Sequence, residues 1–317
     1  MKSIFQNKIA VVTGGANGIG LGLAKELCNR GASIVVADIL PDDMNKAVEM
    51  LRANGGKAIG YEIDVSDEKQ WPGLLDATLK EYGRVDYLFN NAGIMYTKPY
   101  ECFVTADWEM YFRVNVMGPV YGCNTFWPTM QKQGGGHIST VISQASLGPL
   151  DGALIGAPYA PLKSACLTFV EQFAIMMRDR KTNVTCSAIM PSIVNTEISD
   201  RMANPLARPA EFRDNPNIDN TPAPVKAAAA ALVKRLADPQ TDEDKALSFA
   251  MGVVSVDQAV ATIMEGLEKG FFYIYTHPGR SAAIIRQEMD LRLAGYKQPL
   301  AQSNATMEYT KLSKSPI

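Results

Sequence analysis

The sequence predicts an α/β protein built on one doubly wound parallel sheet, and three observations carry that expectation. Short apolar runs rich in β-branched residues alternate with longer stretches of helical periodicity. The first run opens through a glycine-rich turn straight into a helical pattern. Four such strands alternating with helices imply parallel pairing, because parallel neighbours need right-handed crossovers that lay helices on both faces.

The elements follow in order. Residues 8 to 13 (KIAVVT) form the first strand, and GGANGIGLG leads into a helix that runs through Leu27. Strand two, Ser33 to Ala37, ends in Asp38; a helix then starts after Pro41, a good first-turn residue, and stops at Asn54-Gly55-Gly56. Strand three spans Ala58 to Ile63 and ends in Asp64. A helix from about Asp67 to Tyr82 leads to strand four, Tyr87 to Phe89, which ends in Asn90-Asn91-Ala92-Gly93. The next helix is expected to take Thr105 as its N-cap, with Asp107 and Glu109 in its first turn. Trp108, Tyr111, Phe112 and Asn115 then share a face by their spacing, which leaves an amide on an aromatic stripe in need of partners. Strand five is Ile138 to Ile142. Pro158 and Pro161 place the start of the following helix close to Tyr159, since proline is comfortable only in a first turn. Strand six runs from Val184 to Met190 and ends at Pro191. Residues 197 to 225 are rich in proline and polar residues, a helix is expected over Val225 to Leu236, another over Val256 to Lys269, and a last strand over Phe271 to Tyr275. The expected organisation is a single domain over residues 1–297, with a substrate-side insertion or lid at 197–250 and a loosely ordered tail at 298–317.

Composition excludes several classes of function. A net charge of −2 without any Lys/Arg cluster gives no footprint for nucleic acid. The five cysteines are odd in number, scattered and never in a CxxC pair, so they read as reduced thiols of a cytoplasmic protein. His137 and His277 stand alone, which suggests no metal site, and no GxSxG elbow is present for a Ser/His/Asp hydrolase. The N-terminus lacks the apolar run of a signal peptide, and Ala227 to Ala231 is far too short to span a bilayer.

Two stretches carry chemistry. In TGGANGIG, Gly14, Gly18 and Gly20 sit where a strand hands over to a helix, so the backbone can approach a pyrophosphate whose charge is met by free N–H groups. Asp38 follows Gly14 by 24 residues (38 − 14) at the end of strand two, where a carboxylate accepts hydrogen bonds from ribose hydroxyls. A 2′-phosphate would be repelled there, and no Arg or Lys in the glycine loop or just after Asp38 offsets the repulsion, so NAD is favoured over NADP. The second stretch is Tyr159-Ala160-Pro161-Leu162-Lys163. A tyrosine and a lysine four apart (163 − 159) share a helix face, so an ammonium beside the phenol is expected to lower its pKa from about 10 and make it a general acid/base.

Taken together these residues resemble the short-chain dehydrogenase/reductase family and its Rossmann fold. The likeness runs from about Lys8 to Thr196 and rests on TGGANGIG, Asp64 after strand three, NNAG at 90 to 93, Asn115 mid-helix, a serine after strand five, YAPLK, and a PxxxxT stretch from Pro191 to Thr196. The resemblance implies that Tyr159 exchanges a proton with the substrate oxygen, that Lys163 holds the nicotinamide ribose and depresses the tyrosine pKa, and that Asn115 keeps a proton-relay water in place. It further implies a cofactor set of Gly14, Asn17, Gly18, Ile19, Gly20, Asp38, Asp64, Val65, Asn91, Ala92, Gly93, Tyr159 and Lys163. Pro191, Ile193 and Thr196 would grip the carboxamide. Ser143 is chosen as the substrate-binding serine because it stands at the strand end, although it lies 16 residues before Tyr159 (159 − 143) while Ser146 stands 13 before it (159 − 146); Ser146 remains a rival. Ser192 replaces the glycine that commonly follows the proline. Family members usually pair through the helices carrying Asn115 and Tyr159, which implies a homodimer or homotetramer.

The expected substrate wall comprises Ile94, Met95, Tyr96, Leu147, Leu150, Leu154, Ile155 and the 197–250 insertion, mostly apolar. That points to a bulky hydrophobic or aromatic secondary alcohol or its ketone, with core packing or a subunit interface as the competing account of the same side chains. An NAD(H)-binding sensor or scaffold without turnover is the competing function; it would need the glycine loop and Asp38 but not the proton-relay residues.

Overall fold

The structure, a computed structural model, describes residues 3–95, 100–147, 158–196, 204–218 and 238–293, with a few positions between 223 and 236. Seven parallel strands form one sheet: β1 (Ile9–Thr13), β2 (Ser33–Asp38), β3 (Lys57–Glu62), β4 (Tyr87–Asn90), β5 (Gly136–Val141), β6 (Val184–Met190) and β7 (Tyr273–Tyr275). Their order is β3-β2-β1-β4-β5-β6-β7, so the winding reverses between β1 and β4. Ligands of such sheets sit outside the carboxyl ends of the strands at that reversal.

Three helices of the first half are α1 (Gly18–Asn29), α2 (Pro41–Ala53) and α3 (Trp71–Tyr82). The second half adds α4 (Thr105–Phe112), α5 (Gly118–Lys132), α6 (Tyr159–Asp179), α7 (Asp242–Ala250), α8 (Val256–Glu268) and α9 (Pro278–Leu293). Leu23 and Leu27 of α1, Met44 and Leu51 of α2, and Ile263 and Met264 of α8 close one face over Val12, Val36 and Phe89. Trp71 of α3, Phe126 of α5 and Phe173 of α6 close the other over Val11, Leu88 and Ile138. Strands covered on both faces read as continuous apolar runs rather than alternating ones, which is why β1 and β2 stood out in the sequence.

Some expectations are corrected. Val104, not Thr105, is the N-cap of α4, and the Asp107 carboxylate accepts its backbone N–H at 2.7 Å. The aromatic stripe divides: Tyr111 and Asn115 are fully buried, whereas Trp108 and Phe112 are 36 % and 44 % exposed. Within α4 itself Tyr111 lies on a different side from Phe112, and the π turn over Arg113–Met117 that follows shifts the phase of Asn115 against all three. Helices α7 and α9 had no signal read from the sequence, because their residues are mostly polar or mixed in character. Strand ends shift by one or two residues. The expected helix at 225–236, residues 197–203, and the tail 298–317 lie wholly or largely outside the described residues.

Candidate active site

The turn after β1 is built for close backbone approach. Gly14 has φ +60°, and a β-carbon there would stand 2.9 Å from the Ala92 Cα; one on Gly20 would overlap the Gly14 carbonyl oxygen. Asn17 caps α1, its side chain accepting from the Gly18 N–H at 2.8 Å, so the first turn of that helix faces the loop. Ile19 lies in that turn, packed against the core. Asp38 is buried at the end of β2, and its two oxygens accept from the backbone N–H of Ala16 at 3.1 Å and of Leu40 at 3.1 Å. It is therefore part of the glycine loop's own scaffold and not a solvated strand-end carboxylate.

The β4 end meets this loop across the reversal point. The Asn91 amide donates to the carbonyls of Thr13 at 2.9 Å and Gly14 at 3.1 Å. The Thr13 hydroxyl accepts from the N–H of Asn91 and of Ala92 and donates to the Phe89 carbonyl, which locks the two strand ends together. Sequence reasoning passed over Thr13, although it is the first letter of the glycine motif. After β3, Asp64 accepts from the N–H and hydroxyl of Ser66, and the Val65 carbonyl accepts from the Trp71 indole at 3.0 Å. That indole, also passed over, fixes the backbone beside Asp64 and Val65.

On the other side of the reversal, β5 ends and the chain reaches Ser143 in extended backbone. The Ser143 hydroxyl accepts from the Ala145 N–H at 3.1 Å and lies near enough to the Tyr159 phenol to pull its pKa down. Ser146 is turned away: its hydroxyl donates to the Ser143 carbonyl at 2.7 Å. The structure thus brings Ser143, and not Ser146, to the tyrosine; the extra length before Tyr159 falls on residues 148–157, outside the described residues. Lys163 is buried with its ammonium 5.7 Å from the Tyr159 ring centre, and it donates to the Val141 carbonyl at 2.9 Å. Tyr111 packs edge-on against the Tyr159 ring. A β-carbon on Gly93 would stand 2.9 Å from the Asn115 amide oxygen and 3.5 Å from the Lys163 ammonium, so these three groups share one small space. The Asn115 amide is spent on Ile94, accepting from its N–H and donating to its carbonyl, both at 3.0 Å.

The electrostatics correct one expectation. Burial pushes the Tyr159 phenol up to about 12, with Ser143 pulling it down and Cys166 pushing it up. Burial also lowers the Lys163 ammonium. Desolvation of both partners outweighs the attraction anticipated from their spacing, because neither charge can be hydrated there.

The loop after β6 is held by contacts remote in sequence. Ser192 donates its hydroxyl to the Gly252 carbonyl at 2.6 Å and its N–H to the Thr276 hydroxyl at 2.9 Å. Val194 pairs with Val254, bonds joining Val254 to Ile193 and Asn195 close that short ladder, and Thr196 lies against Gly18. Pro191 accepts from the Gln144 N–H at 2.8 Å. Of the expected substrate wall, Ile94 and Leu147 pack into core clusters, so the packing account holds for those two; Tyr96, Leu150, Leu154 and Ile155 lie outside the described residues. Among the described residues no group of acidic, histidine and cysteine side chains could hold a metal ion.

A glycine turn, a strand-end carboxylate and a Tyr/Lys helix gathered at one sheet edge define a nucleotide-type α/β oxidoreductase. The chain belongs to the short-chain dehydrogenase family, whose model matches residues 8–206. It is 32 % identical over 218 residues to a C alpha-dehydrogenase of Sphingobium sp. (strain NBRC 103272 / SYK-6), covering 68 % of this chain and 69 % of that one. It is 30 % identical over 196 residues to a cyclopentanol dehydrogenase of Comamonas sp. (strain NCIMB 9872), covering 62 % and 76 %. A crystal structure of a short-chain dehydrogenase/reductase from Burkholderia phymatum in complex with NAD superposes with a TM-score of 0.79 at 29 % identity, covering 93 % of this chain and 98 % of that one.

Proposed function

We propose that this oxidoreductase uses NAD to interconvert a secondary alcohol and its ketone, with Tyr159 as general acid/base. The observation that carries the reading is the convergence of Tyr159, Ser143, Lys163 and Asn115 at the sheet edge that also holds the Gly14–Gly20 turn and Asp38. The small-residue cradle fits a dinucleotide, and a buried carboxylate at the end of β2 suits ribose hydroxyls and disfavours a 2′-phosphate. Bound in its oxidised form, NAD supplies the hydride acceptor and a positive ring charge. Within the chain, Ser143 orients the substrate oxygen, Tyr159 takes or returns its proton, and Lys163 keeps a positive charge beside the phenol. Asn115 holds the Ile94 backbone and with it the floor beside Gly93. Asn17, Gly18, Ile19, Asp64, Val65, Asn91, Ala92, Pro191, Ile193 and Thr196 complete the proposed cofactor contacts.

A bulky hydrophobic or aromatic substrate is part of the reading, supported by the names of the cyclopentanol and C alpha-dehydrogenase relatives. Exposed Trp108 and Phe112 support a homodimer or homotetramer through the helices carrying Asn115 and Tyr159. Free thiols support a cytoplasmic location, and among the described residues no helix is long and apolar enough to cross a membrane. One domain over 1–297 with a 197–250 lid and a 298–317 tail remains the proposed organisation.

The test is NADH absorbance with cyclopentanol, 1-phenylethanol and larger aryl carbinols, and with the matching ketones plus NADH. Turnover that disappears in Tyr159→Phe is expected. NAD binding without turnover of any member would favour the sensor reading instead.

A further inference from the structure

The family match ends at residue 206, yet the two loops that flank the proposed catalytic tyrosine are held by residues well beyond it. Gln144 is where these ties meet. It is only 3 % exposed, and its side-chain amide donates to the Ser281 hydroxyl at 3.2 Å, Ser281 being 1 % exposed in the first turn of α9. Its backbone N–H donates to the Pro191 carbonyl at 2.8 Å, and its carbonyl accepts from the Leu147 N–H. One residue therefore joins the end of β5, the loop after β6 and the last helix. The backbone at Ser143 is fully extended, so side chains 143 and 144 leave the chain in opposite directions. The first reaches Tyr159; the second is gripped by α9. The same helix region grips the neighbouring loop, through Thr276 on the Ser192 N–H, and the Arg280 N–H donates to the His277 ring one turn away.

We propose that Gln144 is a positioning residue through which α9 sets where Ser143 and the Pro191 loop stand relative to Tyr159. The proposal rests on the oxidoreductase reading above. A buried amide bonded to a buried hydroxyl cannot slip without leaving both unsatisfied, so the tie is stiff. A serine displaced by a fraction of an ångström changes its reach to the phenol, and misplacements of that order are costly in catalysis. Four groups sense the change: Ser143 from the β5 end, Lys163 and Cys166 on the tyrosine's own helix, and Tyr111 from α4.

The test compares Gln144→Ala, Ser281→Ala and Ser281→Thr in the full chain, with the fastest alcohol of the panel and with NAD alone. Gln144→Ala is expected to lower kcat about tenfold with substrate KM changed less than about threefold. The acid limb of its alcohol-oxidation profile should move to higher pH, because a displaced Ser143 pulls the phenol down less. Ser281→Ala should move both quantities in the same direction, Ser281→Thr should restore them, and the double alanine variant should be no worse than Gln144→Ala. If the variants melt lower but keep the wild-type kcat and pH profile, Gln144 is merely structural and the proposal falls. If the wild type binds NAD and turns over no alcohol or ketone, the functional reading fails by itself. The positioning claim is then judged by NAD affinity, through the Pro191 loop: about fivefold weaker binding in both alanine variants and normal binding in Ser281→Thr sustain it, and unchanged binding overturns it. Absence of NAD binding in the wild type would overturn both.

Discussion

The two edges of the one sheet treat their ionisable groups in opposite ways. At the N-terminal edge, Asp86 accepts from Arg84, from the Ile9 N–H at 3.0 Å and from Lys8 at 3.3 Å. Burial raises its carboxyl, but these bonds outweigh it and hold the group below the usual carboxylate range. His137 beside it is bonded on one ring nitrogen to Thr185 at 2.8 Å and on the other to Ser187 at 3.0 Å. Lys8, Arg84, Asp86, His137 and Thr185 line a polar cavity of about 270 Å³. At the C-terminal edge, Tyr159 is pushed up and Lys163 down by burial, and among the described residues no carboxylate pairs with the ammonium. Asp86, compensated in place, stabilises the fold; Tyr159 and Lys163, left uncompensated, await a ligand's charge, which is what a working site needs.

Substitutions can break this contrast. Tyr159→Phe, at the uncompensated edge, is expected to lower kcat about a thousandfold while leaving the melting temperature nearly unchanged, as steady-state kinetics and thermal melts would register. Loss of stability with retained activity would reverse the assignment of the two edges. Asp38→Ser should narrow the preference for NAD over NADP by about ten- to a hundredfold in kcat/KM, because a carboxylate facing a phosphate is repelled by up to several kcal/mol. An unchanged ratio would remove Asp38 from cofactor choice.

At the compensated edge, Asp86→Asn should cost about 2 kcal/mol in urea unfolding with kcat unaltered, since Arg84 and Lys8 are partly solvated and lose only part of a buried pair's energy. The smallest effect sharpens the comparison through pH. Burial lowers the His137 ring from 6.5 to about 4, so the unfolded chain binds the extra proton first. Stability from this group is therefore complete above pH 6.5 and is lost as pH falls through about 4; a drop of about 1 kcal/mol between pH 6.5 and 5.5 is expected. His137→Gln should flatten that slope in urea titrations, and a slope equal to the wild type's would assign the acid sensitivity to other groups.

The first half of the chain was largely readable in sequence because its information is local. A β-branched run, a glycine turn and a helix follow one another within residues 9–29, and Pro41 and Gly55 mark the bounds of α2. The parts of the proposed site were picked out in sequence too: Gly14, Asp38, Asn115, Tyr159 and Lys163 each carry a residue type that their position makes chemically unusual. What could not be read was their partners. Nothing in the run Val104 to Met117 announces the π turn that sets Asn115 out of phase with the helix before it. Helices α7 and α9 escaped because polar faces mask a periodicity that only packing reveals.

By itself the sequence determined the order of strands and helices, the glycine cradle and the spacing of tyrosine and lysine, because backbone geometry follows from neighbours a few residues apart. Only the tertiary structure decided that Ser143 and not Ser146 meets Tyr159, that desolvation overrides the lysine's pull on the phenol, and that Gln144 answers to Ser281. Hydrogen bonds and burial depend on groups that the fold brings together across 137 positions of chain, and no local pattern encodes that distance.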